Sequence, residues 1–96
     1  MHRRVQIASS VGLHARPAAL LSQAAANRPA PVQIAKVTDG VPGDPVDAAS
    51  ILGLMALGVR HGEEVELSTE GETAAAVLDE LVELLSRDLD SEPVNA

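Results

Sequence analysis

In some segments of this chain the apolar side chains recur at every second residue, and in others at every third or fourth residue. The order of these segments limits the folds that the chain can adopt. Val5 and Ile7 alternate with polar residues, and so do Val65 and Leu67, which is the period of a half-buried strand. Between and after these segments, apolar residues recur every third or fourth position, as in an amphipathic helix. The sequence therefore predicts alternating strands and helices.

Two further strands are predicted in the middle of the chain. Val32, Ile34 and Val37 indicate a second strand, and a short third strand follows at 46–48. The segment 38–45 is rich in Gly, Pro and Asp, and we expect it to be an exposed hairpin connection. The two strands are therefore predicted to pair in antiparallel fashion.

Three segments have the helical pattern. The first covers 14–27 and stops where prolines follow, and the last is a clear apolar stripe over 74–85. A short helical run opens at Ser50, with Ile51 and Leu54 on its inward side. The resulting order is β-α-β-β-α-β-α.

This order and the alternating strands define the expected fold class. A sheet with one polar face needs all three helices on its other face, so we predict a two-layer α+β domain. The domain is expected to cover 1–88, and a polar, flexible tail is expected over 89–96.

The composition excludes several kinds of function. The chain has no Phe, Trp or Tyr, which disfavours nucleic-acid binding through base stacking. It has no Cys, which excludes a thiolate nucleophile, a zinc ribbon and an iron–sulfur cluster. No set of residues has metal-ligand spacing, so we expect neither a metal nor a cofactor. Neither a membrane span nor a secretory signal is predicted, and we expect a cytoplasmic protein.

The charges of the chain are unevenly distributed. Seven basic and fourteen acidic residues give a net charge of −7. Residues 1–62 nevertheless contain six basic and three acidic side chains, whereas residues 63–96 contain one basic and eleven acidic. The first two thirds of the chain can therefore present a locally positive surface in an acidic protein.

The segment 12–18, Gly-Leu-His-Ala-Arg-Pro-Ala, is the most informative for chemistry. Pro17 fits the first turn of a helix, where its missing N–H costs nothing, so His14 falls near the helix cap and Arg16 lies in the first turn. The N–H groups and the positive dipole end of such a turn attract anions. A neutral imidazole is also a competent nucleophile near pH 7. The segment therefore favours an anion or phosphoryl site at His14.

A lone histidine near a helix start is also common as a plain cap or surface residue, and the residues alone leave both interpretations open. His2 and His61 are predicted to be ordinary surface residues, since one lies near the start of the chain and the other in a turn.

Two segments resemble one known family. The segment 12–18 resembles the active-site signature of the HPr family, the histidine phosphocarriers of the bacterial phosphoenolpyruvate–sugar phosphotransferase system. The segment 49–58, Ala-Ser-Ile-Leu-Gly-Leu-Met-Ala-Leu-Gly, is similar to the family's regulatory-serine helix. The resemblance covers about residues 3–88. It implies an open-faced sandwich, in which four antiparallel strands are covered on one side by three helices.

The resemblance also implies a function and its residues. His14 would take a phosphoryl group on its δ nitrogen from phospho-Enzyme I and pass it to Enzyme IIA domains. Arg16 would be the charge partner, the backbone N–H groups of Ala15 and Arg16 would bind the phosphoryl oxygens, and Pro17 would start the helix. The protein would be a carrier without substrate turnover of its own, working as a monomer.

Ser50, Leu52 and Met55 can each have a structural or a functional role. Ser50 suits a helix N-cap, and the resemblance adds regulatory phosphorylation by a serine kinase, although Ala49 stands where the family usually has a charged or amide residue. Leu52 and Met55 either complete the core or form an apolar docking patch. The resemblance implies the patch, with Ile51 on the same helix and two residues of the first helix, Ala19 and Gln23.

Val11 departs from the family pattern. Many relatives carry Asn or Ser at this position, and that side chain caps the helix or forms a hydrogen bond with the imidazole.

Two other functions are alternatives to a carrier. One is an HPr-like signalling protein that binds transcriptional regulators or kinases without a nucleophile, and His14 argues against it. The other is a small α+β domain that merely binds an anion, which would make both motif matches coincidental.

Overall fold

The computed structural model describes residues 1–13 and 15–87, apart from the side chain of Ala15. In chain order, the strands β1 to β5 are His2–Gln6, Gln33–Thr38, Val41–Pro42, Val46–Asp47 and Glu64–Ser68. The helices α1 to α3 are Ala15–Ala26, Ile51–Ala56 and Ala74–Leu85. The predicted tail 89–96 lies outside the described residues, and so does His14.

The strands form one antiparallel sheet with four strand positions. β5 lies between β1 and β2, and β3 and β4 both pair with the other edge of β2. The predicted four-stranded sheet is therefore confirmed, with its third strand divided into two short pieces. The three helices complete the predicted α+β order.

The connection between β2 and β3 is shorter than the predicted segment 38–45. Asp39 and Gly40 both have positive φ, 52° and 80°, which is the conformation of a two-residue type I′ hairpin turn. β3 begins directly after this turn, and pairing continues where the N–H of Gly43 donates to the carbonyl of Lys36 at 2.8 Å. The sequence pattern missed β3 because Pro42 argues against a strand. An edge strand, however, pairs with a neighbour on one side only. A proline nitrogen that faces the other side therefore removes no hydrogen bond from the sheet.

The two faces of the sheet differ as predicted. Residues directly opposite each other on neighbouring strands share a face, and Ile34 and Leu67 form one such pair on the buried face. On the other face, Arg4 lies opposite Glu66, and its Nε is 2.9 Å from the Glu66 carboxylate. One face of the sheet is therefore mainly apolar and covered, and the other is mainly polar, although Ala35 and Val37 are buried on that second face.

The core lies between the apolar face of the sheet and the helices. Each fully buried large aliphatic side chain contributes about 1.5–3 kcal/mol to the free energy of folding. The largest fully buried side chains are Ile7, Leu13, Pro17, Leu21, Val32, Ile34, Leu54, Val65, Leu67, Leu78 and Leu81. They come from every helix and from the loop before α1, so the core fixes that loop as well as the regular elements.

Candidate functional site

The loop before α1 is held tightly against the segment that follows α2. Gly12 has a φ of +69°, and a Cβ atom at this position would lie 2.4 Å from the carbonyl oxygen of Val59 and 2.8 Å from the Cα of Arg60. Both the positive φ and the lack of space require glycine. The N–H of Gly12 donates to the carbonyl of Ser9 at 3.0 Å, which closes a tight turn.

Leu13 fixes the next position of the chain. Its N–H donates to the carbonyl of Val59 at 3.0 Å, and its side chain is 2% exposed. The backbone is therefore anchored at the residue directly before His14. His14 itself lies outside the described residues, so its predicted place at the helix cap stays a prediction.

The first turn of α1 begins at Ala15 and has an unusual composition. The N–H groups of Ala15 and Arg16 have no preceding helical carbonyl to accept them, and Pro17, which is fully buried, has no N–H. The turn contains no acidic residue to compensate the positive end of the helix dipole. Its positive potential is therefore available to an anion.

Arg16 adds a positive charge to this turn, where a cation is electrostatically unfavourable. Its side chain is exposed, and it forms no ion pair with any of residues 1–13 or 15–87. A guanidinium beside free backbone donors can bind the oxygens of a phosphoryl group through charge-assisted hydrogen bonds. The predicted pairing of Arg16 with two backbone N–H groups is thus compatible with the geometry of the first turn.

Ser50 is the N-cap of α2. Its Oγ accepts a hydrogen bond from the N–H of Gly53 at 3.1 Å, and its own N–H donates to the carbonyl of Asp47 at 3.0 Å. The Asp47 carboxylate accepts from the N–H of Ala49 at 2.8 Å. The predicted structural role of Ser50 is therefore present, and the residue is exposed at the surface.

An apolar patch formed by Ile51, Leu52 and Met55 lies on the exposed side of α2. These side chains are 41%, 77% and 38% exposed, whereas Leu54 is completely buried. The interpretation that Leu52 and Met55 complete the core is wrong, and so is the inward direction predicted for Ile51. In a helix of only six residues, Leu54 is the one side chain that reaches the core.

The two residues predicted to extend this patch belong to α1, which packs directly against α2. Gln23 is exposed and Ala19 is half-buried. Val11, which precedes Gly12, is a further exposed apolar residue, at 49% exposure. No sequence pattern predicted this exposure, because Val11 stands out in the sequence only as a departure from the family pattern.

His61 is exposed, as predicted, but it is not an ordinary surface residue. Its Nδ1 lies 3.1 Å from the carbonyl oxygen of Ala8 and 3.2 Å from that of Ser9, which also accepts the N–H of Gly12. The imidazole is therefore within hydrogen-bonding distance of the turn that leads to the candidate site. No local sequence signal indicates this contact, because the partners are more than fifty residues away.

Residues 1–13 and 15–87 contain neither a metal-ion site nor a membrane-spanning helix. No group of three or more His, Asp or Glu side chains there is arranged to hold a metal ion. In the same part of the chain, every helix is too short or too polar to cross a membrane.

Comparison with known proteins identifies the family. A family model described as "PTS HPr component phosphorylation site" matches residues 1–87. The chain belongs to the HPr family. The phosphocarrier protein HPr of Streptomyces coelicolor is 42% identical over 91 residues, which cover 95% of this chain and 94% of that protein. The phosphocarrier protein HPr of Haloferax volcanii is 42% identical over 86 residues, 90% of this chain and 93% of that protein.

A solved HPr structure has the same fold. The crystal structure of HPr from Thermoanaerobacter tengcongensis aligns with 97% of this chain and 99% of its own, with a TM-score of 0.80 and 34% identity. The predicted resemblance to HPr and the predicted open-faced α+β architecture are therefore confirmed. This chain is a member of a family of phosphocarriers of the phosphotransferase system.

Proposed function

We propose that this chain accepts a phosphoryl group from phospho-Enzyme I on His14 and donates it to Enzyme IIA domains during sugar uptake. The observation that carries the proposal is the first turn of α1, where the exposed Arg16 adds positive charge to backbone N–H groups that no helical carbonyl satisfies. Membership of the HPr family supports the same function.

The proposed transfer is a nucleophilic displacement at phosphorus. A ring nitrogen of neutral His14 attacks the phosphorus, a nitrogen–phosphorus bond forms, and the bond between phosphorus and its donor on Enzyme I breaks. The N–H groups of Ala15 and Arg16 and the guanidinium of Arg16 stabilise the negative charge on the phosphoryl oxygens. Transfer to the Enzyme IIA domain is the same displacement, with phosphohistidine as the donor. The chain is therefore a carrier that returns to its initial state in each cycle.

The apolar patch of Ile51, Leu52 and Met55, with Ala19 and Gln23, is the proposed docking surface for both partners. Exposed apolar side chains of this kind commonly mark protein–protein contacts. The positive charge of Arg16 suits a partner with an apolar groove and an acidic rim. We expect this cycle to run in the cytoplasm with a monomeric carrier, as the family resemblance implies.

Ser50 is proposed as a second, regulatory site. This exposed residue caps α2 with its hydroxyl and directly precedes the apolar patch. A phosphate at this helix start would keep a capping oxygen and would add negative charge beside the docking surface. Phosphorylation by a serine kinase would therefore weaken docking without unfolding the domain.

The carrier proposal is tested by incubating the chain with phosphoenolpyruvate and Enzyme I. One acid-labile, base-stable phosphoryl group should be added per chain. His14→Ala should abolish the labelling, whereas the matched control His2→Ala, at an exposed histidine outside the motif, should retain it. Labelling that survives in His14→Ala, or that never occurs in the wild type, would contradict the carrier proposal.

A further inference from the structure

Arg60 lies beside the loop that carries the candidate site. Its Cα is one of the atoms against which Gly12 packs, since a Cβ on Gly12 would lie 2.8 Å from it. The preceding residue, Val59, accepts the N–H of Leu13 at 3.0 Å. The backbone of Arg60 is therefore fixed against the two residues that come directly before His14.

Most basic side chains of this acidic chain are paired with carboxylates. An ion pair within 4 Å joins each of the following pairs: Arg3 with Asp79, Arg4 with Glu64 and Glu66, Arg28 with Glu80, and Lys36 with Glu63. Arg16 and Arg60 form no such pair within residues 1–13 and 15–87. Both unpaired guanidinium groups belong to segments that flank the same loop.

The carboxylate nearest in sequence to Arg60 is occupied by other donors. Glu63 accepts the backbone N–H of Arg60 at 2.7 Å and forms an ion pair with Lys36 Nζ at 3.4 Å. The guanidinium of Arg60 is farther than 4 Å from this carboxylate, and the residue is exposed. Arg60 is therefore attracted by Glu63 only at longer range. The chain contains fourteen acidic residues, so a shortage of carboxylates does not explain why Arg60 forms no ion pair. Two arginines without an ion pair, on segments that adjoin one loop, suit a dianionic ligand.

We propose that Arg60, whose backbone packs against the loop at Gly12, is a second phosphoryl-binding arginine and shares with Arg16 the neutralisation of a phosphoryl group on His14. The inference rests on the proposed role of His14 as the phosphoryl acceptor. Arg60 transfers no proton and forms no covalent bond in this role. It lowers the electrostatic cost of the second negative charge on the phosphoryl group.

The alternative role for Arg60 is contact with an acidic surface of Enzyme I. The two roles differ in a property of the isolated chain, because only a phosphoryl-binding arginine changes the ionisation of the phosphoryl group when no partner is present. The decisive measurement is therefore made on the phosphorylated chain alone.

Phosphoramidate supplies the phosphoryl group without Enzyme I. A ring nitrogen attacks its phosphorus, the phosphorus–nitrogen bond of the reagent breaks, and ammonia leaves. The phosphorus-31 resonance of phospho-His14 is assigned by its loss in His14→Ala. Its chemical shift is then followed from pH 4 to pH 9 in the wild type and in Arg60→Gln, Arg60→Lys and Arg3→Gln.

Arg60→Gln should raise the pKa of the second phosphoryl ionisation by about 0.5 pH unit, the effect of one unit charge roughly 6 Å away in water. Arg60→Lys should restore most of the wild-type value. Arg3→Gln, which removes the same charge from an exposed side chain that is paired with Asp79, should leave it unchanged. Thermal unfolding of each variant should remain within a few degrees of the wild type, since the altered side chains are partly or fully exposed.

Equal phosphoryl pKa values in Arg60→Gln and Arg3→Gln would overturn the proposal. An unchanged phosphoryl pKa together with a raised KM for Enzyme I would assign Arg60 to partner docking instead. Failure of phosphoramidate to modify His14 would also overturn it, because there would be no phosphoryl group to bind. Failure of Enzyme I to label the wild type would contradict only the carrier function, since the titration does not depend on that enzyme.

Discussion

A Cβ atom on Gly12 would lie 2.4 Å from the carbonyl oxygen of Val59, closer than a methyl group can approach an oxygen. This contact joins the loop before α1 to the segment after α2, and the hydrogen bond from Leu13 to the same carbonyl reinforces it. The geometry of the candidate site therefore depends on an approach between two backbones that are almost fifty residues apart in the chain.

Gly12→Ala should destabilise the protein and impair phosphorylation of His14. The positive φ and the backbone clash together should cost about 2–4 kcal/mol, which lowers Tm by about 10 °C or more for a domain of this size. Thermal unfolding followed by circular dichroism measures the loss. Gly58→Ala is a matched control, because Gly58 has nearly the same φ, +66°, with nothing within 4 Å of the added Cβ. Equal destabilisation of the two variants would show that the close approach to Val59 has no energetic importance.

Leu52→Ala should weaken docking without affecting the fold. Leu52 is 77% exposed, so the free energy of unfolding should change by less than about 0.5 kcal/mol. Removal of an apolar contact from the proposed interface should raise the KM for Enzyme I about fivefold to tenfold. Initial rates of phosphorylation measure this effect. Val41→Ala, at an apolar residue that is 65% exposed on β3, should leave KM unchanged. Equal KM values in the two variants would remove α2 from the docking surface.

Ser50→Ala and Ser50→Asp should separate the structural role of Ser50 from its proposed regulatory role. Loss of the hydroxyl that accepts the Gly53 N–H should cost about 1 kcal/mol in Ser50→Ala, while phosphoryl transfer remains intact. Aspartate is also a good N-cap, so Ser50→Asp should stay near wild-type stability but raise the KM for Enzyme I. Thermal unfolding and initial transfer rates measure both effects. A loss of transfer in Ser50→Ala, or an unchanged KM in Ser50→Asp, would contradict this division of roles.

Glu63 should contribute to stability in a pH-dependent way. The hydrogen bond from the Arg60 N–H lowers the pKa of Glu63 below its ordinary value of 4.5. Desolvation opposes this effect, and the charges of Lys36 and Arg60 assist it. A lowered pKa in the folded state means that the stabilisation is present above about pH 4.5 and is lost as the pH falls through the folded-state pKa. Glu63→Gln should therefore be less stable than the wild type at pH 7, and the difference should shrink towards pH 3.

Thermal unfolding at several pH values measures this difference, and an NMR titration of the Glu63 carboxylate measures its pKa. Glu72→Gln is the control, because Glu72 is exposed and has no hydrogen bond or ion pair with the described residues. A Glu63→Gln deficit that is the same at pH 3 and pH 7 would contradict the proposed linkage.

Much of the fold follows from local periodicity. The alternation around Val5 and Val65 and the stripe over 74–85 predicted β1, β5 and α3 correctly, because burial on one face imposes the spacing of apolar residues. The predicted segment 14–27 matches α1, which covers Ala15–Ala26. β3 was missed because Pro42 is unfavourable in a strand unless the strand lies at an edge, and an edge is defined only when the whole sheet is assembled.

Predictions of exposure were less successful than predictions of element type. Ile51 has the spacing of an inward residue, yet it is 41% exposed, because α2 covers too little of the core to bury two successive turns. His61 has the sequence context of an ordinary turn residue, yet its ring lies within hydrogen-bonding distance of Ala8 and Ser9 carbonyls. Both outcomes depend on neighbours that are distant in the chain.

The sequence by itself determined the order of strands and helices, the signature around His14 and the family to which the chain belongs. These properties are encoded locally, in side-chain spacing and in the residue types of a short motif. Only the tertiary structure decided that Val59 and Arg60 lie against Gly12, and that Arg16 and Arg60 form no ion pair among the described residues. The physical reason is that packing between distant segments and the pairing of charges depend on three-dimensional distances, which local sequence patterns do not specify.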